Sequence, residues 1–117
     1  AQLEQLPEFI TMKRALAEKY CRSFSGIKGG RFFTEPSFAR SNYWLNVFLL
    51  DEFYADERDN LLDITNSNGI MTRPVWTLMH KLPMFNECPK MDLSVAEDLE
   101  RRLINIPSSA VLGVGYA

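Results

Sequence analysis

The stretch Gly69-Ile70-Met71-Thr72-Arg73-Pro74-Val75-Trp76-Thr77-Leu78-Met79-His80-Lys81-Leu82-Pro83 concentrates the chemistry of this 117-residue chain. It holds Arg73, Trp76 and His80, the last being the only histidine in the sequence. A guanidinium is a fixed, permanently charged fork suited to phosphates and carboxylates. Trp76 adds a broad flat face with one N–H donor, and His80 a group that donates or accepts near neutral pH. Pro74 pushes Arg73 out of the helical region, so a brief strand, Ile70 to Thr72, should deliver the arginine to the end of a sheet. Val75 to Leu82 reads as one or two helical turns, on which Trp76 and His80 share a face.

Upstream, Asn68-Gly69 is a stop signal for a helix running from Asp56 to about Asn66, because both residues tolerate the left-handed conformation. Arg58, Asp59 and Asn60 should face water there, and Leu61, Leu62 and Ile64 the core. Before it, Ser41 to Asp51 reads as the strongest strand, dense enough in apolar residues to be a central one. Asn46 within it must find a hydrogen-bond partner if buried. Arg31 to Glu35 is a shorter aromatic strand, and Pro36 to Arg40 a loop. Gly26, Gly29 and Gly30 are turn chemistry; they match neither the P-loop nor the GxGxxG pattern.

The N-terminal segment, Ala1 to about Ser25, places Leu3, Leu6, Phe9, Ile10, Leu16 and Tyr20 at helical spacing, with Lys13, Arg14, Glu18 and Lys19 on the wet side. It starts in mid-rhythm without an initiator methionine, as a cut inside a helix would. Downstream, Ser94 and Glu97 form a capping-box signature for a third helix to about Arg102, with Leu93, Ala96, Leu99 and Leu103 inward. Ile104 to Ile106 is a last short strand. Ser108 to Ala117 should fray. The sum is a small α+β domain, a mostly antiparallel sheet covered by helices.

Composition sets outer limits. The length fits one domain able to bury a core without staples. A formal net charge of −2 argues against a general nucleic-acid binder. Cys21 and Cys88 lie in no metal spacing, and with one histidine there are too few soft ligands for a zinc site; two reduced thiols in a cytoplasm fit better. No run is long and apolar enough to span a membrane. The carboxylates Asp56, Glu57, Asp59 and Asp63 have no partner set for acid–base work, and no nucleophile-elbow motif is present. Taken singly, His80 also fits a structural histidine, Trp76 a core residue, and Arg73 an ion pair as well as a ligand contact. Asn42 and Tyr43, at the start of the long strand, are equally open.

The run from Gly69 through Arg73 to His80 and Pro83 resembles the C-terminal domain of the DegT/DnrJ/EryC1/StrS sugar aminotransferases, whose usual pattern is Gly-Ile-x-Thr-Arg, an aromatic, then Pro-Leu-His and a proline. Trp76 stands where tyrosine is commoner, and Leu78-Met79 replaces Pro-Leu. Ala1-Gln2-Leu3-Glu4-Gln5-Leu6, Asp92 to Glu97 and Ile106-Pro107-Ser108-Ser109 are similar to family motifs in the same order. Ser41-Asn42-Tyr43-Trp44-Leu45-Asn46 and Arg73 to Trp76 look most like the legionaminic-acid/bacillosamine-type branch.

The resemblance implies the small domain of the aspartate-aminotransferase (type I) fold, from a cytoplasmic, homodimeric enzyme that aminates keto nucleotide-sugars with an amino-acid donor. Pyridoxal phosphate would be bound mainly by a large domain upstream of Ala1, which carries the Schiff-base lysine and the acid at the pyridinium nitrogen. None of Lys13, Lys19, Lys28, Lys81 and Lys90 lies in the family's lysine context, so residues 1–117 would be inactive alone. By the same analogy Arg73, His80 and Trp76, and more weakly Asn42 and Tyr43, would line one wall of the substrate cleft. The competing class is a non-catalytic module whose Arg73/His80 edge binds a small anionic ligand or a protein.

Overall fold

A computed structural model describes residues 2–114. The expected helical start at Ala1 and the fraying expected of 115–117 lie outside the described residues. Helix α1 spans Leu6–Ser23, preceded by a 3₁₀ turn, Gln2–Gln5. Pro7 sits in its first turn, where a missing N–H costs nothing. Strands β1 (Gly30–Phe32) and β2 (Asn46–Leu50) follow, then a 3₁₀ turn, Glu52–Glu57, and helix α2 (Arg58–Ser67). Strand β3 is only Arg73–Pro74; helix α3 (Ser94–Arg102) runs directly into β4 (Leu103–Ile106).

The four strands are ordered β1-β2-β4-β3 and every pair is antiparallel. The expected α+β architecture and the central place of β2 therefore hold. Register sets Phe32 opposite Phe48, Phe48 opposite Ile104 and Pro74 opposite Ile104 from the other side. Residues directly opposite share a face. Phe48, Leu50, Ile104 and Ile106 thus form one apolar surface, on which Leu61 and Leu62 of α2 pack. Tyr20 of α1 and Phe24, which caps its C-terminus, add aromatic contacts to Phe32 and Phe48. A proline in β3 is tolerated because that strand is an edge.

Several expectations are corrected. The strand expected over Ser41 to Asp51 contracts to Asn46–Leu50: Tyr43 has φ +47°, which no strand accommodates, and Asn42 Oδ1 accepts the Trp44 N–H at 3.0 Å to close a turn. The brief strand lies at Arg73–Pro74, not Ile70 to Thr72. The turns expected over Val75 to Leu82 reduce to a 3₁₀ turn, Met79–Lys81, followed by another at Pro83–Phe85; Trp76 and His80 share no helical face. Asp56 belongs to the 3₁₀ turn before α2. Arg58 is half-buried and donates to the Glu100 carbonyl, whereas Ile64 is 52% exposed. Ser94 does not cap α3: Asp92 accepts both its N–H and its hydroxyl, and Glu97 is engaged elsewhere.

Of the polar stripe of α1, Glu18 is exposed as expected, but the three basic residues are not simply solvated. Lys13 donates to the carbonyls of Trp44 and Ser108, Arg14 binds Glu35 and the Ser41 carbonyl, and Lys19 donates to those of Leu112 and Gly113. The tail expected to fray from Ser108 instead forms a 3₁₀ turn, Ala110–Gly113, docked on α1. Gly113 is buried there, and a Cβ on it would stand 1.9 Å from the Met12 carbonyl oxygen. Only glycine permits that approach. The Asn46 side chain, 1% exposed, makes no hydrogen bond within the described residues, contrary to the partner its burial demanded.

Candidate functional site

Arg73 is held from both sides. Before it, Thr72 is buried, its hydroxyl 2.5 Å from that of Thr65 and accepting from Asn66 Nδ2, which also donates to the Thr72 carbonyl. After it, the Pro74 carbonyl accepts from Asn105 Nδ2 at 3.1 Å. Arg73 pairs in register with Asn105, and Asn105 with Val47. Strand alternation places these three on the face away from Phe48 and Ile104. The backbone is thus fixed while the guanidinium stays exposed, with no ion pair among the described residues.

The guanidinium borders a cleft of about 390 Å³ lined by Leu45, Met71, Pro74, Trp76, Asn105 and the run Ile106 to Ser109. Arg73 is the one charged residue among those lining residues. A positive fork with no carboxylate among the residues lining its cleft has the chemistry to receive an anion. Trp76, 71% exposed, stands at this cleft beside Trp44, itself 63% exposed, in a tilted ring pair with centroids 5.9 Å apart and planes at 34°.

His80 is placed differently. Its Nε2 lies 2.8 Å from Glu97 Oε1 on α3, and it does not line the Arg73 cleft. A carboxylate only accepts, so Nε2 carries the proton in this contact. Next to it, Lys81 bonds to Glu100, whose other oxygen accepts the Leu78 N–H. These contacts hold the Glu100 carboxyl below its usual range, Lys81 contributing most. The segment after Trp76 is therefore pinned to α3.

Asn42 and Tyr43 sit in the loop that ends at Trp44. Asn42 is exposed; Tyr43 is half-buried, stacked on Phe32 and lying under the Arg14 guanidinium, and its hydroxyl accepts the Glu35 N–H. Glu35 receives Arg14 and the Ser41 N–H, which together lower its pKa to about 2. Lys13 is pushed down by burial. Of the predicted set, the structure brings Arg73 and Trp76 together at one cleft, places Asn42 and Tyr43 on the neighbouring loop, and sets His80 apart on α3. Trp44, Lys13 and Asn105 were missed. The sequence shows only that Trp44 is the second of two tryptophans; its nearness to Trp76, and the contacts of Lys13 and Asn105, are not visible in sequence spacing.

The sequence profile described as the DegT/DnrJ/EryC1/StrS aminotransferase family matches residues 1–114. The chain belongs to that family. It is 31% identical over 109 residues to GDP-perosamine synthase of Vibrio cholerae, covering 92% of this chain and 29% of the relative. It is 30% identical over 114 residues to the putative pyridoxal phosphate-dependent aminotransferase EpsN of Bacillus subtilis, covering 94% and 29%. The fold matches DesI, solved in the presence of its TDP-sugar product, with a TM-score of 0.83 at 21% identity, covering 97% of this chain and 29% of DesI. The chain thus spans about 29% of the length of the family members it matches here. These relatives do not single out the legionaminic-acid/bacillosamine branch.

Family membership implies pyridoxal phosphate, which needs an imine-forming lysine and an acid at its ring nitrogen. The residues here do not fit that group. Lys13 and Lys19 donate to backbone carbonyls, Lys81 is bound to Glu100, and Lys28 and Lys90 are exposed outside the Arg73 cleft. That cleft holds neither a lysine nor a carboxylate.

Proposed function

We propose that these residues supply one wall of the substrate cleft in a pyridoxal-phosphate-dependent aminotransferase that transfers an amino group from an amino acid to a keto nucleotide-sugar. The cofactor and its lysine reside in a larger domain, so residues 1–117 are inactive alone. One observation carries the reading: Arg73 is backbone-anchored on both sides yet has no acid beside it in the cleft it lines. Its fork receives the diphosphate of the nucleotide-sugar or the carboxylate of the donor, and Trp76 packs beside the sugar or base. His80, oriented by Glu97 through Nε2, offers its other ring nitrogen to the same substrate when the domains come together. Asn42 and Tyr43 flank the wall from the loop.

The enzyme acts as a homodimer in the cytoplasm. Within the family, the Ser41 to Asn46 and Arg73 to Trp76 runs look most like the legionaminic-acid/bacillosamine-type branch. The test is to supply the full-length protein with pyridoxal phosphate, L-glutamate and the 4-keto and 3-keto sugars of GDP, UDP and dTDP. Amino-sugar formation is followed by mass spectrometry. Conversion of a UDP-linked ketone supports the branch, conversion of a GDP-linked one replaces it with the perosamine type, and no amine from any of them sinks the proposal.

A further inference from the structure

Resting on that reading, we infer that Trp44 is a nucleobase-binding residue: with Trp76 it forms a composite aromatic platform on which the nucleobase of the substrate stacks, while Arg73 holds the phosphates. Trp44 and Trp76 are the only two tryptophans of the chain, and both stay more than three-fifths exposed although their rings meet. Two adjoining indoles open to solvent at the edge of a cleft are an informative surface, because large aromatics normally close on a core. Stacking suits a base, whose π-face fits a flat indole whatever its hydrogen-bond pattern, whereas a sugar has no π-face. The single positive charge of the neighbouring cleft matches the phosphates that follow a base in a nucleoside diphosphate.

The loop that presents Trp44 is latched from behind. Lys13 Nζ donates to the Trp44 carbonyl at 3.1 Å and, at 2.7 Å, to the carbonyl of Ser108, which lines the Arg73 cleft. One ammonium group thus ties the platform to the cleft floor. Arg14 secures the base of the same loop through Glu35 and the Ser41 carbonyl. Asn42 folds the last turn by accepting the Trp44 N–H. Lys13 and Arg14 are positioning residues: they touch no substrate and fix where Trp44 stands.

The test uses the full-length protein and calorimetric titration with GDP, UDP and dTDP, the tightest being carried forward. Trp44→Leu keeps apolar bulk without a π-face, and Trp44→Phe keeps the face. Trp44→Leu should weaken binding by roughly tenfold, Trp44→Phe by much less, and Lys13→Met by about as much as Trp44→Leu. Lys13→Met should also change the coupled tryptophan signal in circular dichroism. Equal loss in both Trp44 variants, or none in either, overturns the platform; unchanged affinity in Lys13→Met overturns the latch. In the same titration Arg73→Ala separates the two levels. If it abolishes binding while the Trp44 variants bind normally, only the platform falls. If the wild type binds none of the three nucleotides, the cleft assignment falls with it.

Discussion

Arg14 grips Glu35 as a fork on a carboxylate, Nη1 standing 3.1 Å from Oε2 and Nη2 2.5 Å from Oε1, and so fastens the loop before β2 to the first helix. The pKa of Glu35 is about 2 in the folded protein against 4.5 for an ordinary glutamate. The folded value is the lower one, so on acidification the unfolded chain takes up the proton first. The stabilisation is complete above about 4.5 and is lost as the pH falls towards about 2. Glu35→Gln should therefore be less stable than the wild type at neutral pH, and urea midpoints should converge in that acid window. A gap that stays constant through it contradicts the assignment.

Gly113→Ala tests the docking of the C-terminal turn. Its Cβ would meet the Met12 carbonyl oxygen at 1.9 Å and the carbonyl carbon at 2.7 Å, both backbone atoms of α1 that cannot rotate away. Overpacking of this kind costs about 1–3 kcal/mol. Thermal unfolding should show the loss, and limited proteolysis should cut after Pro107 in the variant before the wild type. Wild-type stability would mean that the turn is not docked on α1.

The architecture was legible because its signals are local. Apolar periodicity marked α1 and α2, Asn68-Gly69 marked the stop after α2, and the apolar density around Asn46–Leu50 marked the central strand. The errors came from contacts between distant residues. Ser41 to Leu45 carries strand-like residues, but Arg14 and Lys13 of α1 capture that segment as a loop. Lys13, Arg14 and Lys19 share the spacing of a solvated stripe, and only the folded chain shows the carbonyls and carboxylate they meet. Ser94 and Glu97 fit a capping box, yet Asp92 lies nearer to the Ser94 N–H and His80 engages Glu97. Arg73 and Trp76 were readable as candidates from residue type and the neighbouring proline; their common cleft with Asn105 depends on the pairing of β3 with β4.

Asn46 gives a prediction of opposite sign. Both polar atoms of its side chain are buried without a partner among the described residues. An unsatisfied buried amide costs about 1–3 kcal/mol, whereas an apolar group of similar size carries no such penalty. Asn46→Leu should raise the thermal midpoint. A clear fall would show that the amide is hydrogen-bonded after all.

His80 and Glu97 separate structure from substrate contact. His80→Ala and Glu97→Ala each remove the bond that pins the turn after Trp76 to α3, at about 0.5–1.5 kcal/mol. Both should lower stability by similar amounts. If His80 also meets substrate, only His80→Ala should raise KM several-fold beyond the effect of Glu97→Ala. Equal kinetics in the two variants would confine His80 to a structural role.

The most direct measurement is steady-state kinetics of Arg73→Ala in the full-length protein, beside a thermal melt. A charge-assisted, two-pronged contact contributes about 1.5–3 kcal/mol. The variant should lose roughly ten- to a hundredfold in kcat/KM at an unchanged melting temperature, because Thr72, Pro74 and Asn105 keep the backbone in place. A folded variant with wild-type kinetics would contradict the account.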